Sequence, residues 1–214
     1  MSFTHPGRRL LDLLWQPDGR VVEVACGREE GGNLGAEMWH WDVSTQQANV
    51  VLNESTGRSV CGLGLSPTRP KTLAVAIYFR KNLRLVRENG VERVNLPFET
   101  VTASPVFTPD GRTLALLRDK SLVLLDVATR QIRATLAAEG RRINAVAFTP
   151  DSRLTLTGNQ DGTVAVWDTL SGDPRGRFEW DIGPVQALVV SADGMLAAAA
   201  GRSGRIVVWD VDAG

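Results

Sequence analysis

The stretch Thr163-Val164-Ala165-Val166-Trp167-Asp168 decides the fold, because its Trp-Asp ending returns at a fixed spacing. Trp209-Asp210 lies 42 residues after Trp167-Asp168, and Leu125-Asp126 lies 42 residues before Trp167-Asp168. Trp41-Asp42 lies a further 84 residues upstream, two periods away. Each pair closes a short apolar run. A period of about 40 to 45 residues is typical of repeat proteins in which each unit contributes four strands.

A polar turn recurs in phase with these pairs. Its copies are Gln16-Pro17-Asp18-Gly19, Thr108-Pro109-Asp110-Gly111, Thr149-Pro150-Asp151-Ser152 and Ser191-Ala192-Asp193-Gly194. The intervening runs are short, rich in Val, Leu and Ala, and bounded by turn-forming residues, which indicates strands. We predict an all-β chain of about five four-stranded sheets in one domain, 1–214. The sheets are expected at about 10–52, 60–96, 100–137, 143–180 and 185–210.

Two details of this prediction concern individual strands. The innermost strands are expected at 10–15, 60–65, 102–107, 143–148 and 185–190, and a long turn at 28–33 separates two strands of the first sheet. The last sheet stops after its third strand, whereas residues 1–4 align with the end of an outer strand. We therefore predict that residues 1–4 complete the last sheet and cover its open edge.

These motifs resemble those of the WD-repeat (WD40) β-propellers. The matching pieces are the Trp-Asp pairs, the Pro-Asp turns and the Asp161-Gly162 turn before Trp167. The resemblance extends over essentially the whole chain and implies a β-propeller with about five blades, each a four-stranded sheet. The residues expected to be structural repeat positions are Trp41, Asp42, Asp161, Trp167, Asp168, Trp209 and Asp210.

The chain departs from the family pattern in two ways. The family's Gly-His pair is absent, since Phe98, Glu139 and Asp181 stand at the matching positions. Asp161, Thr157 and Trp167 are the best remnant of the family's buried polar network. Five blades are also fewer than the seven usual in the family. The ring could close as a monomer, which we favour, belong to a longer propeller, or be completed by a second copy.

Composition narrows the possible functions. Twenty-four basic and 24 acidic residues give a net charge of zero. This balance argues against nucleic acid or an anionic membrane as the partner. Cys26 and Cys61 lie in apolar runs and suggest neither a disulfide framework nor a metal site. The N-terminal residues lack the pattern of a signal peptide. We expect a cytoplasmic protein without cofactor or metal.

The innermost strands carry little catalytic chemistry. Asp12 is their one acidic residue, so a pair of carboxylates for glycoside hydrolysis is missing. The two histidines, His5 and His40, suggest no triad. Gly62-Leu63-Gly64 lies within a strand and lacks the helix of a phosphate loop. We therefore expect no enzyme activity.

Arginines and aromatic residues on the loops joining successive blades suggest a protein-binding surface. By family analogy the candidate partner-binding residues share one face: Arg8, Arg9, Arg58, Arg80, Phe98, Arg141, Arg142, Trp180 and Arg202. The expected function is a non-catalytic scaffold that presents a rigid propeller face to a protein or peptide. The alternative is a sugar- or small-ligand-binding propeller, including a hydrolase that uses Asp12 and the central channel.

Overall fold

The computed structural model confirms the predicted all-β fold. It describes residues 8–16, 19–30, 33–54, 60–68, 72–77, 82–87, 89–98, 103–118, 120–137 and 142–211. These residues form nineteen strands in five antiparallel sheets, and each sheet joins strands that follow one another in the chain. The backbone divides into two compact units, Met1–Pro105 and Val106–Gly214. The single domain over 1–214 stays a prediction.

The first unit contains two four-stranded sheets. The first sheet comprises β1 (Arg8–Trp15), β2 (Val21–Glu30), β3 (Asn33–Asp42) and β4 (Gln47–Glu54). The second sheet comprises β5 (Val60–Leu65), β6 (Leu73–Ile77), β7 (Asn82–Arg87) and β8 (Gly90–Asn95). Apolar side chains of both sheets share one core, in which Met38 and Leu63 are almost fully buried.

The second unit contains three sheets. The third sheet comprises β9 (Val106–Phe107), β10 (Thr113–Arg118), β11 (Ser121–Asp126) and β12 (Ile132–Ala137). The fourth comprises β13 (Ile143–Phe148), β14 (Leu154–Asn159), β15 (Thr163–Asp168) and β16 (Pro174–Glu179). The fifth comprises β17 (Val185–Val190), β18 (Leu196–Gly201) and β19 (Ile206–Asp210). Residues 1–4 lie outside the described residues, so their pairing with the fifth sheet stays a prediction.

The burial of each strand follows from its place in the sheet. The middle strands β10, β11 and β14 are buried along most of their length, because both of their faces are covered. In β12, the last strand of the third sheet, most side chains are exposed, but Leu136 is buried. Ile143 and Phe148 of the fourth sheet join Leu136 in one core, and Leu156 joins Val185 of the fifth sheet in another.

Two expected strand boundaries were wrong. Of the predicted innermost strand at 102–107, the structure shows only Val106–Phe107 as β9. Pro105 cannot donate a backbone hydrogen bond, and the hydroxyl of Ser104 is bonded to Asp12 instead. The long turn at 28–33 is also shorter than predicted, because β2 continues to Glu30, which pairs with Asn33 of β3.

Candidate functional site

The aspartates of the Trp-Asp repeat close turns between strands. Asp168 Oδ1 accepts hydrogen bonds from the backbone N–H groups of Leu170 and Ser171, both at 3.0 Å. Arg175 donates to the other carboxylate oxygen at 2.7 Å. The N–H of Ser171 and the guanidinium of Arg175 lower the pKa of Asp168 to about 2. These bonds make Asp168 a structural turn residue that is ionised at neutral pH.

Two other copies of this aspartate have the same arrangement. Asp126 accepts from the N–H groups of Ala128 and Thr129 and pairs with Arg133. Asp42 accepts from the N–H groups of Ser44 and Thr45 and from Arg20. Its bond with the Ser44 hydroxyl is the main cause that lowers the pKa of Asp42 to about 2. The repeat therefore reflects a turn that the sheet architecture requires.

The Pro-Asp turns, and the turn of the fifth sheet in which Ala192 replaces the proline, are built in the same way. In the third, fourth and fifth sheets the aspartate accepts the hydroxyl of the residue two positions earlier at 2.6 Å. It also accepts the backbone N–H of the residue two positions later at 3.0 Å. Those aspartates are Asp110, Asp151 and Asp193.

One residue of these turns differs from its counterparts. Ser152 has a φ of 63°, where the equivalent Gly111 and Gly194 have φ of 70° and 77°. This conformation favours glycine, so a serine there is strained. The Ser152 hydroxyl accepts the backbone N–H of Asp110 at 3.0 Å and so joins the turns of the third and fourth sheets.

The remnant of the polar network is smaller than expected. Trp167 Nε1 donates to Thr157 Oγ1 at 3.0 Å, so these two residues are joined. Asp161 is exposed and binds the Thr163 hydroxyl and Arg177 instead, which corrects the expectation that it is buried with them. Asp161 shapes its own turn, because its carboxylate also accepts the backbone N–H of Thr163 at 3.2 Å.

The other tryptophans of the repeat serve packing. Trp41 is half-buried against an apolar cluster of the first sheet that includes Val22, Val24 and Cys26. Trp209 is half-buried against Trp180, with 4.8 Å between ring centroids. Asp210, at the end of β19, is exposed. The two tryptophans therefore anchor their strands through their rings.

Asp12, the candidate for channel chemistry, is engaged in hydrogen bonds within the first unit. Its Oδ1 accepts the N–H of Leu13 at 2.9 Å. Its Oδ2 accepts the N–H of Leu63 at 2.9 Å and the hydroxyl of Ser104 at 3.0 Å. The carboxylate thus links β1 to β5 and to the segment before β9. These three hydrogen bonds occupy both oxygens of the carboxylate.

A buried acidic group escaped the sequence analysis. Glu23, whose side chain is 5% exposed, lies 3.0 Å from His40 Nδ1 and accepts Gln16 Nε2 at 2.6 Å. Its second oxygen, Oε2, is buried without a hydrogen-bond partner among the described residues. A glutamate inside the apolar run Val21–Cys26 was the available signal. His5 lies outside the described residues.

The candidate partner-binding residues are described unequally. Arg142 and Arg202 are exposed. Trp180 is half-buried, and its ring stacks on Phe178 with a centroid distance of 5.3 Å. Phe98 is buried, 5% exposed, so its ring packs in the interior and is not offered to a partner, which corrects that expectation. Arg8 and Arg9 belong to β1, but their side chains, like Arg58, Arg80 and Arg141, lie outside what the structure describes.

The two exposed arginines are carried by ordered loops at the same end of neighbouring sheets. Gln160 donates its N–H to the carbonyl of Arg142 at 2.8 Å, and Arg202 donates to the carbonyl of Pro184 at 2.9 Å. Asn144 Nδ2 donates to the carbonyl of Val185 and so connects β13 to β17. We call Arg142, Trp180 and Arg202 the loop rim.

Two absences apply to the described residues alone. None of their helices has the length and apolar character needed to cross a membrane. Among them, no three His, Cys, Asp or Glu side chains are grouped so that they could hold a metal ion.

Sheets of consecutive antiparallel strands, joined by repeated aspartate-capped turns, define a class of all-β repeat proteins. The family model described as "WD domain, G-beta repeat" matches residues 130–168 and 174–210. These two ranges of the second unit are therefore similar to WD repeats. Each matched repeat begins near the last strand of one sheet and ends with the Trp-Asp pair of the next, so the sequence repeat and the sheet are offset by one strand.

Three curated proteins are similar in sequence to part of this chain. "Protein groucho" of Drosophila melanogaster is 30% identical over 109 residues, which are 50% of this chain and 15% of the relative. "Target of rapamycin complex subunit wat1" of Schizosaccharomyces pombe is 27% identical over 106 residues, 49% of this chain and 33% of the relative. "Cilia- and flagella-associated protein 52" of Sus scrofa is 28% identical over 127 residues, 55% of this chain and 20% of the relative. The matches span a third of these relatives or less.

Proposed function

We propose that this chain is a non-catalytic scaffold that binds a protein or peptide partner at the loop rim. WD repeats are typical of protein-interaction scaffolds, and one relative is named as the subunit of a complex. We also propose a cytoplasmic location, based on the sequence alone. In this proposal, side chains that the fold leaves accessible bind the partner. Side chains that are hydrogen-bonded or buried within the fold have a structural role.

One observation carries the proposal: the loop rim combines fixed backbone with available guanidinium groups. Within the described part of the chain, the side chains of Arg142 and Arg202 make no hydrogen bond or ion pair. Their backbone is held by hydrogen bonds at 2.8 and 2.9 Å. Arginine binds carboxylates with two parallel hydrogen bonds. Because the loops are already ordered, binding costs little additional conformational entropy.

Trp180 adds a second anchor to this surface. Its ring is held by Phe178 and Trp209, at centroid distances of 5.3 and 4.8 Å. It remains half-buried, so part of the indole is accessible. Arginine and tryptophan are over-represented among the residues that dominate binding energy at protein interfaces.

The non-catalytic part of the proposal rests on Asp12. Its two carboxylate oxygens accept three hydrogen bonds from Leu13, Leu63 and Ser104. Nothing favours the alternative of a hydrolase that uses this residue, since its carboxylate connects strands of the first unit.

The test compares capture of partners from cell extract by the tagged wild-type chain and by the double variant Arg142→Glu, Arg202→Glu. We expect the proteins that the wild type recovers to fall at least about tenfold, because reversing both charges replaces attraction with repulsion. The single variants Arg142→Glu and Arg202→Glu are each compared with Arg93→Glu, which reverses the charge of an exposed arginine of β8. Equal recovery by wild type and double variant, with matching thermal unfolding, would exclude the loop rim as the binding surface.

A further inference from the structure

A cavity of about 310 Å³ lies within the second unit, between the turns of the third and fourth sheets. It is at the opposite end of these sheets from the loop rim, because β13 begins just after Arg142 and ends just before the turn that contains Ser152. Three arginines and two aspartates provide the charged groups of its wall.

Two of these charged groups are already neutralised by neighbours. Arg133 donates to Thr113 Oγ1 at 3.3 Å and forms an ion pair with Asp126. Asp168 is paired with Arg175 at 2.7 Å and accepts two backbone N–H groups. They shape the wall and leave Arg112 and Arg153 as its other basic residues and Asp110 as its other acidic one. Arg153 also lies close enough to Asp151 to help lower the pKa of that carboxyl.

Arg112 and Arg153 occupy equivalent positions, each two residues after the aspartate of a Pro-Asp turn. The backbone N–H of each residue donates to that aspartate at 3.0 Å, which fixes where the side chain starts. Neither guanidinium has a hydrogen bond or an ion pair within the described ranges. Two arginines that line one cavity with their donors available form a pair suited to a carboxylate.

Ser152 joins the two turns that hold these arginines. Ser152 lines the cavity, and its hydroxyl accepts the N–H of Asp110 at 3.0 Å. It keeps a φ of 63°, although glycine stands at the equivalent place in the neighbouring turns. Strained residues persist where the surrounding structure fixes them, often at binding sites. Here the hydrogen bond fixes the spacing between the turns that carry Arg112 and Arg153.

We propose that this cavity binds the carboxylate of a glutamate or aspartate side chain in a partner peptide, through Arg112 and Arg153. Leu170, which is 69% exposed, also lines the cavity and provides an apolar contact for a residue beside the acidic one. The favoured segment therefore alternates acidic and aliphatic residues. The inference rests on the proposed function in that the partner is a protein, but it concerns a separate surface.

The test follows the arginine Nε–Hε signals of the ¹⁵N-labelled full chain by NMR, which detects weak binding. The probe is acetyl-Leu-Glu-Leu-amide, and acetyl-Leu-Gln-Leu-amide is its uncharged match. We expect the glutamate peptide to produce saturable shifts of the Arg112 and Arg153 signals and the glutamine peptide to produce none. Absence of shifts at millimolar glutamate peptide overturns the proposal, as do shifts confined to Arg142 or Arg202.

Two further experiments test which carboxylate binds and which arginines bind it. Acetyl-Leu-Gln-Leu with a free C-terminal carboxylate tests the other source of this group, and a response to it alone overturns the assignment to a side chain. The double variant Arg112→Gln, Arg153→Gln should weaken binding at least tenfold, whereas Arg202→Gln should leave it unchanged. Both arginines are exposed, so we expect an unaltered backbone amide spectrum. Because the capture experiment alters only the loop rim, either proposal can fail while the other stands.

Discussion

The fourth and fifth sheets are copies of one repeat that treat the same tryptophan differently. In the fourth sheet Trp167 Nε1 donates to Thr157 on the neighbouring strand. In the fifth, Ala199 stands at the equivalent position, and Trp209 Nε1 is buried without a hydrogen-bond partner among the described residues. Trp209 nevertheless packs against Phe178 and Trp180. The repeat thus keeps the ring for its packing, and the hydrogen bond is an addition that one copy lacks.

Two glycines of these sheets, Gly201 and Gly176, differ in how closely other atoms approach them. A Cβ on Gly201 of β18 would lie 1.9 Å from the carbonyl oxygen of Ile182, which is backbone and cannot rotate away. A Cβ on Gly176 of β16 would have no neighbour within 4 Å. Close approach to the preceding loop is therefore a property of the fifth sheet's Gly201.

We expect Gly201→Ala to have the largest effect of the variants considered. Relieving the clash requires a backbone shift, at a cost of about 3 kcal/mol in the free energy of unfolding, the upper part of the range for overpacked sites. Denaturant unfolding of Gly201→Ala and of the matched control Gly176→Ala measures this. If both variants unfold at the same denaturant concentration, the close contact at Gly201 does not affect stability more than the open site at Gly176.

Exchanging the hydrogen-bond acceptor between the sheets should change stability less. Thr157→Ala leaves the Trp167 indole N–H without its partner and should lower the free energy of unfolding by about 1 kcal/mol. Ala199→Thr places a hydroxyl beside Trp209 and should raise it relative to Ala199→Val, which has the same shape without the hydroxyl, by about 1 kcal/mol. Urea unfolding of the three variants and the wild type measures both differences.

The valine variant is the necessary control because Ala199 is 1% exposed, so any larger side chain meets close packing. Comparing Thr with Val cancels that cost. Equal stability of the two would show that Trp209 Nε1 gains nothing from an acceptor and that its packing alone places the ring.

The sequence predicted the strands best where several copies of the repeat could be superimposed. The strand Ile143–Phe148 was predicted and found with the same limits, and so was Val185–Val190. β9 was predicted too long, because the bond between Ser104 and Asp12 joins residues far apart in the chain. Periodicity carries no information about such a contact.

Side-chain surroundings were harder to predict than strands, for the same reason. Phe98 looked like an exposed anchor beside a loop, yet tertiary packing buries it. Asp161 looked like a buried network residue, yet it is exposed and bound to Thr163 and Arg177. The cavity beside Arg112 and Arg153 depends on turns of two sheets lying together, which a single repeat does not encode.

The turn that contains Asp151 in the fourth sheet and Asp193 in the fifth is built alike in both sheets. Its contribution to the pH dependence of stability should be the smallest effect and should be similar in the two sheets. The hydroxyl of Thr149 lowers the pKa of Asp151, and the hydroxyl of Ser191 lowers the pKa of Asp193. A carboxyl whose pKa falls on folding contributes stability above its unfolded pKa of about 3.9, and this is lost as the pH drops through the folded pKa. Asp151→Asn and Asp193→Asn should therefore each lower Tm slightly at pH 7, with the difference from wild type shrinking below about pH 4. Thermal scans from pH 7 to pH 2 measure this difference in Tm.

The variants Thr149→Val and Ser191→Ala remove the hydroxyl donors. Each should remove part of the pH dependence of Tm. A pH-dependent loss in one sheet alone would show that these turns are as different as the tryptophans, because identical hydrogen bonds should give the same proton linkage.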